Sequence, residues 1–231
     1  SGDADVAHYA GAATLKGREG DGFLSPMTLC FFITNVDVPA ARAANAADPA
    51  FSDLIARARS KYPLLPERMH FELAPFPIEN ALVINHSGTK ARGVLDGTSP
   101  EDMTEAERYS RRQALQIVDA LREFGGLAFA RVQMGATGPQ VGVRETRRLK
   151  GVYALTEEDA LTGSRFDDAI AWRSGMLDIG FVRYEAMRVH DVPYRALLPE
   201  AVDGLLAAGR CISASHVAAS AGKSMGNCLA T

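Results

Sequence analysis

Between residues 99 and 126 the apolar positions follow a helical period. Ser99-Pro100-Glu101-Asp102 offers an N-cap hydroxyl, a proline at the first helical position and early carboxylates that suit a helix dipole. Met103, Ala106, Tyr109, Ile117, Val118, Leu121 and Phe124 then recur at helical spacing until Gly125-Gly126 stops the run, which predicts one long helix with a core-facing stripe. Residues 27–36 are instead dense in aromatic and β-branched types (Phe31, Phe32, Ile33, Thr34, Val36) and predict a buried strand ended by Asp37 and Pro39. Shorter patterns predict strands at 69–73, 81–85, 127–133, 140–144 and 204–208, and an extended stretch around Pro193 at 189–198. Helices are predicted at 3–10, at 53–61, after the cap Thr156-Glu157-Glu158-Asp159, and from Ser215 onward, with the alanine-rich 40–50 segment as a loop-helix surface piece. The fold class expected is α+β, a mixed and largely antiparallel sheet with flanking helices.

Composition narrows the function classes. With 231 residues and 47% hydrophobic content the chain can bury a substantial core. A net charge of −3 without a long run of like charge gives no footprint for nucleic acid. No apolar run approaches the ~20 residues that cross a bilayer, so no membrane role is expected. Cys30, Cys211 and Cys228 lie far apart and predict neither a disulfide framework nor a zinc site; reduced thiols and a cytoplasmic location are the expectation.

Several motif-like stretches dissolve under inspection. Gly222-Lys223-Ser224 ends like a phosphate loop, but that pattern needs a glycine where Val217 stands. Gly222-Lys223-Ser224-Met225-Gly226 also fits a nucleophile elbow, yet only Asn227, Cys228, Leu229, Ala230 and Thr231 follow, and they complete no triad. Asp3 and Asp5 lack the further oxygen ligands of a calcium loop, and His8, His70, His86, His190 and His216 show no two-histidine helical spacing. No metal site is expected.

Three stretches keep chemistry. Arg144-Glu145-Thr146-Arg147-Arg148 packs three cations and a carboxylate into five residues. It fits an exposed strand edge with weak ion pairs, or a strand whose alternation points Arg144 and Thr146 one way and Glu145 and Arg147 the other, so that one face offers a fixed cation. Val192-Pro193-Tyr194-Arg195 fits a half-buried strand with a snorkelling arginine, or a segment that brings Tyr194 or Arg195 to a pocket. Near the chain's end an apolar run, the Gly209 turn and small hydroxyl residues opening a helix suit delivery of backbone N–H groups to a cofactor. His216 at that helix start fits either a backbone-bonded histidine or an ionisable group beside a cofactor.

These stretches, with Gly2-Asp3-Ala4-Asp5-Val6-Ala7 and Ala208-Gly209-Arg210-Cys211-Ile212-Ser213, closely resemble the FAD-dependent oxidoreductases of the glutathione-reductase-like superfamily over nearly the whole chain. The resemblance implies a flavin-domain fragment at 1–22, a substrate or cap domain at 23–189 and a C-terminal flavin-domain fragment at 190–231. It implies hydride transfer between a small organic substrate and FAD, with Arg144, Arg195 and His216 as catalytic candidates. Gly2, Asp3, Gly209, Arg210, Ser213, Lys223, Ser224 and Met225 are the implied cofactor-binding candidates. Where that family carries Arg-x-Met-Pro, this chain has Lys223-Ser224-Met225-Gly226, which keeps a charge and gives up the planar fork and the proline's rigidity.

No Gly-x-Gly-x-x-Gly turn occurs near the start, so no βαβ unit holds an ADP pyrophosphate on a helix dipole. The expectation is a piece of a longer parent, a proteolytic product or one subunit of a split enzyme, with weak or absent FAD binding and no activity alone. A dinucleotide-binding half or subunit is then the expected partner, and a homo-oligomer is compatible with this. The alternative is a non-catalytic subunit or binding module completing a site with a separate dinucleotide-binding chain.

Overall fold

The computed structural model describes residues 2–69, 78–179 and 184–231. In chain order these form α1 (Asp5–Tyr9), β1 (Thr14–Lys16), β2 (Thr28–Thr34), α2 (Val38–Ala47), α3 (Ser52–Ala58), β3 (Leu82–Gly88), α4 (Pro100–Phe124), β4 (Gln133–Thr137), β5 (Arg147–Leu149), α5 (Glu157–Thr162), β6 (Ala169–Asp178), β7 (Tyr184–Pro193), α6 (His216–Gly222) and α7 (Met225–Leu229). The class is α+β with antiparallel pairing, divided among three sheets of order β1-β5, β3-β2-β4 and β6-β7. No helix among the described residues is long and apolar enough to cross a membrane.

The chain forms two compact units, one of Met27–Gly93 with Glu101–Gly142 and the other of Ser1–Pro26, Val94–Pro100 and Val143–Thr231. In the first, the predicted stripe of α4 packs with the sheet and with Phe129: Ala114, Ile117, Val118 and Leu121 share one core with Phe31, Ile33, Leu82, Ile84 and Phe129. Gln113 lies within this packing because both ends of its amide are used, its Oε1 accepting from Gly88 N at 2.7 Å and its Nε2 donating to Leu64 O at 2.6 Å. The second unit has smaller apolar clusters, one joining Leu155, Val192, Leu197 and Ile212. Thr156 and Asp159 close a reciprocal capping box on α5.

The structure departs from the sequence reading at several places. Residues 127–133 are not a strand: a 3-10 turn at Leu127–Phe129 drives Phe129 into the core, and pairing begins only at Gln133. Residues 140–144 make a single bridge, Gly142 to Thr28, because the Val141 amide is taken by Glu107 Oε1 at 2.7 Å. Residues 204–208 form no strand; Gly204 turns with φ 72°, and Ala207 N is tied to Leu197 O at 2.9 Å. The stretch at 189–198 is extended only to Pro193 and then coils as a 3-10 turn at Tyr194–Ala196. The strand expected at 69–73 lies outside the described residues beyond Met69. Strand β6 was not anticipated, since Arg173, Ser174 and a register shift before Gly175 interrupt its apolar alternation.

Leu121 is fully buried in the α4 core, so Leu121→Ala is expected to cost about 2–5 kcal/mol and Leu121→Met under about 1.5 kcal/mol. Urea denaturation checks both; equal costs would contradict the packing.

Candidate functional site

The segment Val143 to Arg148 comes close to Gly97, where an added Cβ would stand 2.7 Å from Val143 Cγ1 and 2.8 Å from Thr146 Cγ2. Glu145 and Thr146 are both buried although adjacent, so the two-faced alternation expected for the box does not hold; regular pairing starts at Arg147. The box residues instead reach three separate groups: Arg144 meets Asp178, Thr146 and Arg147 meet Asp3, and Glu145 pairs with Arg148 and His216.

Glu145 is 6% exposed. Its carboxylate accepts from Ser25 N at 3.1 Å and Ser25 Oγ at 3.3 Å, pairs with Arg148 Nη1, and lies 2.8 Å from His216 Nδ1. Arg148 spends its other donors on Ala214 O at 3.0 Å and Gly17 O at 2.9 Å. Burial pushes the Arg148 pKa down against the attraction of Glu145. The buried carboxylate is thus matched by a guanidinium and by directed hydrogen bonds, the condition under which such a pair is tolerated.

His216 opens α6 behind an N-cap, Ser215, whose Oγ accepts from Ala218 N at 3.2 Å. A carboxylate facing Nδ1 fixes that nitrogen as the donor of the neutral ring, which leaves the lone pair on Nε2. Nε2 is buried and has no hydrogen-bond partner among the described residues, while the Phe23 ring meets the imidazole edge-on at 5.8 Å.

Lys223 caps the other end of α6, two turns from His216. It donates to Asp178 Oδ2 at 2.8 Å and to Asp178 O at 2.5 Å, and Arg144 Nη1 donates to the same Oδ2 at 2.6 Å. Burial pushes the Asp178 carboxyl up, but Lys223 and Arg144 outweigh it and its pKa falls below the usual value. Burial also lowers the Lys223 pKa, against the pull of Asp178.

A third group surrounds Asp3. Its Oδ1 accepts from Arg210 Nη2 at 2.7 Å and from Thr146 Oγ1 at 2.7 Å, and Arg147 Nη1 bonds Asp3 O at 3.0 Å and Asp5 Oδ1 at 2.6 Å. A Cβ on Gly2 would stand 2.8 Å from Arg210 Nη2, and Gly209 turns with φ 75°. Arg210 Nη1 is buried without a partner among the described residues.

Of the residues singled out from sequence, Arg144, His216 and Lys223 are joined through Glu145, Asp178 and α6, and Gly2, Asp3 and Arg210 meet beside Thr146. Arg195 lies elsewhere in its bonding, held by Asp168 at 2.5 Å and laid over Tyr153 and Phe166 at 4.9 and 5.1 Å. Ser213 Oγ accepts from Gly151 N at 3.1 Å, while Ser224 and Met225 are exposed. The sequence reading did not single out Asp178, Ser25 or Phe23 as site residues. Within the box it also passed over Glu145 and Arg148, where a charge pair spaced i,i+3 was the available signal.

Asp178→Asn leaves two partly buried cations facing each other and is expected to destabilise by roughly 3 kcal/mol at neutral pH. Because the folded Asp178 pKa is depressed, its contribution is complete above the unfolded value of about 3.9 and is lost as pH falls through the folded one. The gap between wild type and variant in urea should therefore narrow only below about pH 4; a gap that does not change with acid would contradict the pairing.

No curated protein and no solved structure matches the chain. The family described as FAD dependent oxidoreductase matches residues 1–231, and the chain belongs to that family.

Proposed function

We propose that this chain supplies the substrate-side groups for hydride transfer between a small organic substrate and FAD. The observation that carries the reading is the His216–Glu145 contact of 2.8 Å, with an Nε2 on the far side of the ring that has no partner among the described residues. Arg210 Nη1, buried and without a partner among the described residues beside two glycines, offers a donor to a carbonyl oxygen of a flavin ring. The fit is to the flavin end of FAD, since no Gly-x-Gly-x-x-Gly turn for the pyrophosphate occurs in the sequence.

When bound, FAD supplies the acceptor of the hydride. His216 Nε2 takes the proton from the substrate O–H or N–H, so the substrate loses a hydride and a proton and is oxidised by two electrons. Glu145 keeps the ring in the tautomer that can accept this proton and offsets the imidazolium charge that results, as a positioning residue. Arg144 and Lys223 share one carboxylate and leave this side of the site with one excess positive charge, which favours a substrate that carries negative charge. The chain by itself holds FAD weakly and is inactive, and a separate dinucleotide-binding segment or chain completes the site.

Titration of the purified chain with FAD, followed by flavin fluorescence, tests the cofactor part. The expected result is weak saturable binding, with Kd above roughly 10 μM, that Arg210→Ala weakens at least about tenfold, as loss of one charge-assisted bond implies. Tight binding would refute the weak-site reading, and binding equal in wild type and variant would refute the role of Arg210.

A further inference from the structure

His216 is 5% exposed and its Nε2 is buried. A base must come within about 3 Å of the proton it takes, so a neighbour of the ring has to move before a substrate arrives. Two neighbours are fixed: Glu145 is gripped by Arg148 and Ser25, and α6 starts on the Ser215 cap. The third, Phe23, meets the imidazole edge-on from the end of a loop at residues 17–23, in which Gly17, Gly20 and Gly22 stand at φ 71°, 95° and 67°.

The loop is pinned at both ends to one buried pair. Gly17 O accepts from Arg148 Nη2 at 2.9 Å, and Ser25 N donates to Glu145 Oε2 at 3.1 Å. Between these anchors the hydrogen bonds close on the loop itself: Arg18 N donates to Phe23 O at 2.8 Å, Gly22 N to Arg18 O at 2.9 Å and Phe23 N to Asp21 Oδ1 at 3.2 Å. Arg18 lays its guanidinium over the Phe23 ring at 5.0 Å and grips Asp21 with two donors, Nε to Oδ1 at 3.0 Å and Nη2 to Oδ2 at 2.5 Å. The Arg18 hydrogen bond pulls the Asp21 carboxyl down to about 2, so this clasp is charged at neutral pH. The exposed Glu19 attracts Arg148 through space.

A Cβ on Gly17 would stand 2.6 Å from Gly22 O, so the neck of the loop needs that glycine, whereas Gly20 has open space and is required by its φ alone. A segment with fixed ends, a middle held by exposed contacts and glycines that tolerate a change of backbone conformation opens at low cost.

We propose that residues 17–23 form a gate over His216, with Phe23 as the side chain that covers the imidazole and the Arg18–Asp21 pair as the clasp that holds Phe23 to its turn. Opened, the gate admits substrate to Nε2; closed, it keeps water from the base. The proposal rests on the reading of His216 as the base.

The test uses diethyl pyrocarbonate, which acylates a neutral imidazole nitrogen, on the full chain at neutral pH. The rate at His216 is read by peptide mass against the exposed His8, and amide exchange over residues 18–23 is followed under the same conditions. Wild-type His216 should react at least about tenfold more slowly than His8, and Phe23→Ala should remove most of that protection. Asp21→Asn, a surface change, should speed both the modification of His216 and the exchange of the loop by the same factor, about two- to fivefold for an exposed ion pair. The gate is overturned by a wild-type His216 that reacts as fast as His8, by a Phe23→Ala that leaves the rate unchanged, or by an Asp21→Asn that loosens the loop while His216 stays protected. Failure of the base reading shows separately, in which nitrogen is acylated. Nε2 is expected; an Nδ1 adduct would refute the base, while parallel acceleration of loop and ring would still support the gate.

Discussion

The buried carboxylate of Glu145 is the interaction on which the site depends. Ser25, Arg148 and His216 all direct donors at it, and Arg148 in turn ties down Gly17 and Ala214. Segments distant in sequence are thereby held by one charge. Removing a partner from such a pair costs about 3–5 kcal/mol, because the other is left buried and unpaired. That penalty makes the arrangement rigid, and a rigid carboxylate is what gives His216 a defined tautomer.

The five residues from Arg144 to Arg148 act as a distributor. Arg144 leads to Asp178 and through it to Lys223, Thr146 and Arg147 lead to Asp3, and Arg148 closes back on Glu145. The two ends of α6 are used at once, with His216 at its first residue and Lys223 at its cap. A short helix so placed links the His216–Glu145 pair to the Arg144–Asp178–Lys223 cluster without a long element to support it.

Much of the fold was legible in the sequence because its strongest signals are local. The α4 stripe, the β2 run and the Thr156 cap each follow from spacing and residue type. Segments whose conformation is set by distant partners were not legible: Val141 donates its amide to a side chain, and residues 204–208 turn at Gly204 and join no strand, held instead by the Ala207 amide on Leu197 O. The same distinction runs through the site. The Arg144 to Arg148 box stood out by composition, but a period-two reading placed its side chains on alternate faces, whereas buried charges at 145 and 148 follow from tertiary pairing. Arg195 was singled out beside the same motifs and is instead occupied by Asp168 and two aromatic rings. Arg173 and Asp178 sit on a strand whose bulge hides its pattern.

The most direct test is nitrogen NMR of the His216 ring in the intact chain, at a pH where the ring is neutral, with assignment by loss of the signals in His216→Gln. The account predicts a protonated Nδ1 and a bare Nε2. A ring protonated on Nε2 would contradict it, since Glu145 would then not be holding the histidine as a proton acceptor.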